Sequence, residues 1–144
     1  MDMHSYALDS ILYGYCIGEN IEFRVYPPVL VNTLLGKSMR LRPTMARLLG
    51  YFLFHAKERV IEDERIMIDV FEQHGLKCNQ QRLWQSIRAL KAVLTKCGFN
   101  RDLILRIKKV GFTVSDVRVA ILFCYIQNKI DDGNKEKSIC LIQG

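Results

Sequence analysis

The sequence predicts an α+β domain: a small N-terminal antiparallel sheet, three helices, a C-terminal β-hairpin, and an extra apolar tail. Three observations predict it. Ile21 to Val25 alternates apolar and polar residues, which is strand period. Between Arg42 and Lys96, apolar residues recur in three sets at helical spacing. Leu103 to Val114 alternates again and turns back around Lys108-Lys109. The 144 residues, 49% hydrophobic and 25% charged, suit one globular unit. With 9 Gly, 3 Pro and no segment recurring at a fixed period, collagen-like and repeat architectures are excluded.

The elements follow in order. Pro27-Pro28 stops the first strand, Val29 to Leu35 is the next, and Gly36-Lys37-Ser38 is a turn before a short strand at Met39 to Leu41. Pro43 suits the first turn of a helix, where its missing N–H has no intrahelical partner to lose. Met45, Leu48, Leu49, Phe52 and Leu53 carry that helix to near Lys57. A second helix is expected over Glu62 to His74, with Ile66, Ile68, Val70 and Phe71 as its apolar set and Gly75 as its stop. Glu62, Asp63 and Glu64 suit the positive end of its dipole. The third helix spans Asn79 to Lys96, with Asn79 as N-cap and Leu83, Ile87, Leu90 and Leu94 on one stripe. The domain is expected to close near Asp116. Residues 117–144 form the tail, whose apolar stretches Val117–Ile126 and Ile139–Ile142 suit an added hairpin across the polar Asn128–Lys137 segment.

Charge is concentrated rather than spread. Residues 37–56 carry Lys37, Arg40, Arg42 and Arg47 without an acid, and residues 77–109 carry nine bases against Asp102 alone. These two blocks hold the whole excess of the +6 chain, and such clusters suit either an anionic partner or a solvated face. The start of the chain lacks the basic and apolar runs of a secretory signal, so the cytoplasm is the expected compartment. The longest apolar run, Val119 to Ile126, is far short of the roughly 20 residues that span a bilayer. Five widely spaced cysteines without a Cys-x-x-Cys read as free thiols, and no metal or cofactor is expected. No nucleophile elbow, phosphate-binding glycine loop or His-Glu-x-x-His occurs, so an enzyme is not expected.

The third helix carries the chemistry. At about 100° per residue, Gln81, Gln85, Arg88, Ala89 and Ala92 fall opposite its apolar stripe. That side is polar and long-armed, and no acid stands in it. Gln can pair adenine and Arg can pair guanine by two hydrogen bonds each in a major groove. Lys91, Lys96, Arg106, Lys108 and Lys109 suit phosphates, and Arg82, at the border of the stripe, suits a phosphate or solvent. Trp84, at the other border, reads as a packing residue.

These residues resemble a known family. Residues 21–114 are similar to the winged-helix DNA-binding domain of OmpR/PhoB-type transcription factors. Leu41-Arg42-Pro43-Thr44-Met45 followed by Leu48-Leu49 resembles its first-helix start. Phe71 stands where an aromatic closes the second helix. Ile87-Arg88-Ala89-Leu90-Lys91-Ala92-Val93-Leu94 resembles the end of its recognition helix, and Gly111-Phe112-Thr113-Val114 the end of its wing. Met45 replaces an acid and Lys91 an arginine of that pattern. The stretch before the first helix is too short for a receiver domain, so the resemblance is nearest the ToxR/CadC-like and virulence-regulator branch.

The resemblance implies a bacterial-type, sequence-specific regulator of transcription that binds double-stranded DNA. Helix 79–96 would lie in the major groove and hairpin 103–114 would act as the wing. The candidate contacts are Gln81, Arg82, Gln85, Arg88, Lys91, Arg106, Lys108 and Lys109. The alternative is a winged helix kept as a protein-interaction module, binding another regulator or RNA polymerase. The tail suits a homodimer or regulator contact in either case.

Overall fold

A computed structural model describes residues 10–126 and 138–143. The stretch up to Asp9, including the region read as lacking a secretory signal, and the polar segment Asn128–Lys137 lie outside them. The described chain is α+β, as the sequence predicts. Its strands are β1 (Ser10–Ile17), β2 (Ile21–Arg24), β3 (Val29–Asn32) and β4 (Lys37–Arg40), followed by helix α1 (Pro43–Phe54). Then come β5 (Ile61–Glu62), α2 (Asp63–Ile66), α3 (Gln80–Lys96), β6 (Ile104–Ile107), β7 (Gly111–Val114), β8 (Val119–Ile126) and β9 (Ser138–Gln143). The short α2 continues without a break into a π turn, Met67–Phe71, and a 3-10 turn, Glu72–His74. Among the described residues no helix is long and apolar enough to cross a membrane.

Two antiparallel sheets frame the helices. The larger has strand order β4-β3-β2-β1-β8-β9, and the smaller β5-β7-β6. In the first, alternation sends Tyr15, Ile17, Ile21, Phe23 and Leu30 into the core. Tyr15 lies opposite Phe23, and their rings stack 6.3 Å apart. The strand at Ser10–Ile17 is absent from the sequence reading, yet it sits inside the sheet between β2 and β8. Its Gly14 passes so close to β2 that a Cβ there would collide with the Phe23 carbonyl. The apolar run at 119–126 pairs with β1 along its length and receives β9 on its other side.

The helices complete the core. Leu48, Leu49, Phe52 and Leu53 of α1 are buried. This helix stops at Phe54, one turn short of the expected Lys57. In the second helical segment Ile66, Val70 and Phe71 are buried, whereas Ile68 is exposed, because two residues past Ile66 is the far side of a helix. Gly75 ends the segment at φ 79°, a left-handed conformation that costs glycine nothing. Asn79 caps α3 as its sequence suggests, its Oδ1 accepting from the Arg82 N–H at 2.8 Å. Leu83, Ile87, Leu90 and Leu94 form the buried stripe.

One buried amide fastens the C-terminus of α3 to the larger sheet. Asn32, 3% exposed, closes β3, and its Nδ2 donates to the Cys97 carbonyl at 2.9 Å. Its Oδ1 accepts from the Leu34 and Leu35 N–H groups at 3.0 and 2.9 Å. The side chain thus satisfies the turn after β3 and ties the larger sheet to the C-terminus of α3. Asn32→Ala is expected to destabilise the protein by about 2 kcal/mol, since it leaves the Cys97 carbonyl and two amides without their partner. Asn32→Asp keeps the two acceptor bonds but turns an anionic oxygen on that carbonyl, and it is expected to be at least as damaging. Urea unfolding of the two variants checks both outcomes.

Candidate nucleic-acid interface

The site starts from α3 because burying its apolar stripe forces the opposite side outward. Gln81, Gln85 and Arg88 are all exposed. Together with Gln80 and Trp84 they line a shallow depression of about 260 Å³. A second depression, of about 180 Å³, lies where the helix meets the wing and is lined by Trp84, Ile87, Arg88, Lys91, Arg106 and Phe112. Trp84 and Arg88 belong to both. The outer side of α3 and the Arg106–Phe112 level of the wing are therefore one surface.

The wing is the β6–β7 hairpin. Its tip is tight, with the Val110 N–H bonded to the Ile107 carbonyl at 3.1 Å. Lys108, Lys109 and Val110 are exposed there. Lys109 takes φ 57°, the left-handed region that suits glycine better than any residue with a Cβ. β5 adds a third strand beside β7. A Cβ on Gly111 would collide with the Ile61 carbonyl, so this close pairing needs glycine.

The eight residues singled out in the sequence have different surroundings. Gln81, Gln85 and Arg88 face outward together, and Lys91 is half-buried beside them. Lys108 and Lys109 form no ion pair among the described residues. Arg82 turns back toward its own helix start. Its Nη1 donates to the Lys77 carbonyl at 3.1 Å, and its guanidinium lies 5.7 Å from the centre of the Phe71 ring. Arg106 is the most engaged. Its Nη1 lies 2.7 Å from Asp63 Oδ1, and its guanidinium sits 5.0 Å from the Trp84 ring and 4.7 Å from the Phe112 ring.

The sequence reading missed three members of this arrangement. Asp63 was visible only as an acid suited to a helix start. Trp84 was read as a packing residue. It is 44% exposed and covers one side of Arg106. Phe112 was recoverable, because the hairpin register sets it directly opposite Arg106. No sequence signal links Asp63 to Arg106.

Groups with displaced titration lie elsewhere. Burial, and then its hydrogen bond to Asp69 at 2.6 Å, push the Tyr51 hydroxyl up to about 12. Hydrogen bonds from Arg65 and then His55 bring Glu58 down to about 2. These groups tie the α1–β5 loop to the second helical segment. Burial pushes the Cys78 thiol up, against a smaller opposite pull from Arg82. The α3 surface offers hydrogen-bond donors, amides and cations, which is equipment for holding a polyanion.

The fold has solved counterparts. The DNA-binding domain of CadC from E. coli superimposes with a TM-score of 0.62 at 20% identity, over 74% of this chain and 94% of that one. The C-terminal domain of NsrR, a nisin resistance regulator and lantibiotic response regulator, gives 0.55 at 23% identity, over 67% of this chain and 93% of that one. No protein-family profile and no curated protein matches the sequence. The chain has the winged-helix fold.

The wing tip yields a stability test. Lys109→Gly removes a left-handed residue bearing a Cβ and is expected to stabilise the protein by about 1 kcal/mol. Lys109→Val, β-branched at the same φ, is expected to destabilise it. The urea midpoints of the two variants should fall on opposite sides of the wild type.

Proposed function

We propose that this chain is a sequence-specific DNA-binding regulator of transcription. In this reading α3 lies in a major groove, and the wing meets the neighbouring backbone or minor groove. The observation that carries it is the continuous surface joining Gln81, Gln85 and Arg88 to the wing through Trp84 and Lys91. The helix presents amides and a guanidinium of the kind that reads base edges, and no acidic side chain lies on its outer face. The two solved counterparts support it, one by being a DNA-binding domain and the other by belonging to a response regulator.

Roles follow from surroundings. Gln81, Gln85 and Arg88 contact bases. Lys91, Lys108 and Lys109 contact phosphates, which supply affinity without sequence information. Arg82 and Arg106 already hold protein partners and serve the duplex less directly. The site works by binding and not by bond-making, and the compartment is the cytoplasm, where a duplex is met. A winged helix kept as a protein-interaction module, binding another regulator or RNA polymerase, is the second reading. It is favoured by β9, which lies at an end of the larger sheet among the described residues, where a strand has backbone groups open to pairing.

A titration with mixed-sequence duplex at two salt concentrations separates these readings. DNA binding requires log K to fall by about 0.9 per phosphate neutralised as log salt rises. No binding at low salt would favour the protein partner. Duplexes selected from a random pool then test the division of labour. Arg88→Ala is expected to cost roughly 1–3 kcal/mol on the preferred sequence and to relax the preference at its base. Lys108→Ala is expected to weaken all sequences alike and to reduce the salt slope by about 1. Equal losses on every sequence for both variants would contradict the assignment.

A further inference from the structure

Asp63 is an acid beside a cationic surface, an arrangement that opposes a polyanion unless the carboxylate does something else. Its Oδ1 lies 2.7 Å from Arg106 Nη1, on the wing strand β6. Its Oδ2 accepts from Gln80 Nε2 at 2.7 Å, and Gln80 is the first residue of α3. Its backbone N–H donates to the Val110 carbonyl at the wing tip, at 3.2 Å. One residue therefore touches wing strand β6, the tip of the wing and the start of α3.

The surroundings make this a defined junction. The Asp63 side chain is 14% exposed and that of Arg106 27%. The Arg106 guanidinium lies within reach of both the Trp84 ring of α3 and the Phe112 ring of β7. The residue just before Asp63 belongs to β5, whose Ile61 and Glu62 pair with Phe112 and Gly111. Asp63 is thus carried by the wing's own third strand and reaches across to the helix.

We infer that Asp63 is a positioning residue for duplex binding. Its carboxylate fixes the separation and angle between α3 and the wing by holding Arg106 with one oxygen and Gln80 with the other. The inference rests on the DNA reading above. A rigid pair of elements meets the groove and the adjacent phosphates together, whereas a loose pair must be ordered on binding, and that ordering weakens affinity.

The sign of one substitution separates positioning from simple charge. Asp63→Asn removes a negative charge and, by charge alone, tightens DNA binding. Positioning requires the reverse. The probe is the duplex that the wild-type full chain recovers from a random-sequence pool. D63N is expected to bind it about tenfold more weakly, the size of effect seen when one link in a coupled network is removed. The salt slope should stay unchanged. R106Q removes the same link from the strand side, and the D63N/R106Q double variant is expected to bind no more weakly than the poorer single variant. Trp84 is the sole tryptophan, so its emission in the DNA-free protein reports the junction directly and should shift in D63N and R106Q.

D63N binding as tightly as wild type or tighter overturns the inference, as do additive losses in the double variant or an unshifted Trp84 emission. A wild-type chain that binds no duplex at about 50 mM salt instead sinks the DNA reading itself, and that result appears before any variant is compared.

Discussion

A buried amide and a buried stripe together fix the helix on which the surface is built. Leu83, Ile87, Leu90 and Leu94 supply the driving force, at roughly 1.5–3 kcal/mol for each side chain removed from water. That force is non-directional and tolerates small slides along the helix axis. Asn32 removes the freedom, because its amide meets the Cys97 carbonyl at a single geometry. Asp63 does the corresponding work at the other end through Gln80. With both ends held, the outward direction of Gln81, Gln85 and Arg88 follows from helical geometry alone.

What could be read in the sequence divides along a physical line. α3 was legible because its apolar period, its Asn79 cap and its stop before Gly98 all agree. The hairpin was legible because alternation and a polar tip agree. β1 was not. Ser10–Ile17 is a mostly apolar run interrupted by Gly14, a pattern that marks neither an exposed strand nor a helix. Only the sheet shows why it looks so, since the strand has neighbours on both edges and its glycine admits the Phe23 carbonyl. The outward side of α3 was legible for the same reason as its stripe. The Asp63–Arg106 pair was not, because its members are 43 residues apart and each has a sufficient local explanation. Trp84 packs, as its place at the border of the stripe suggests, but against the Arg106 guanidinium and with 44% of its surface exposed.

The two basic blocks have different fates. In the first, Lys37 donates to the Lys96 carbonyl at the end of α3, at 3.4 Å, and Arg47 to the Val70 carbonyl of the second helical segment, at 3.4 Å. In the second, Arg82 and Arg106 are likewise drawn into the framework, while Arg88, Lys108 and Lys109 stay outward. Net charge therefore overstates what the surface presents. Some of the positive excess braces the elements that carry the rest.

The placement of β1 beside β8 also bears on how the chain comes together. Ser10 meets Tyr125 and Ile17 meets Val119, partners about a hundred residues apart in sequence. Closing a loop of that size costs entropy before any backbone pair is made. The hairpins β2–β3, β3–β4 and β6–β7 join near neighbours and carry no such delay. The ladder between β1 and β8 thus carries the largest closure cost in the larger sheet, and it ties the start of the described chain to the strand that follows the wing.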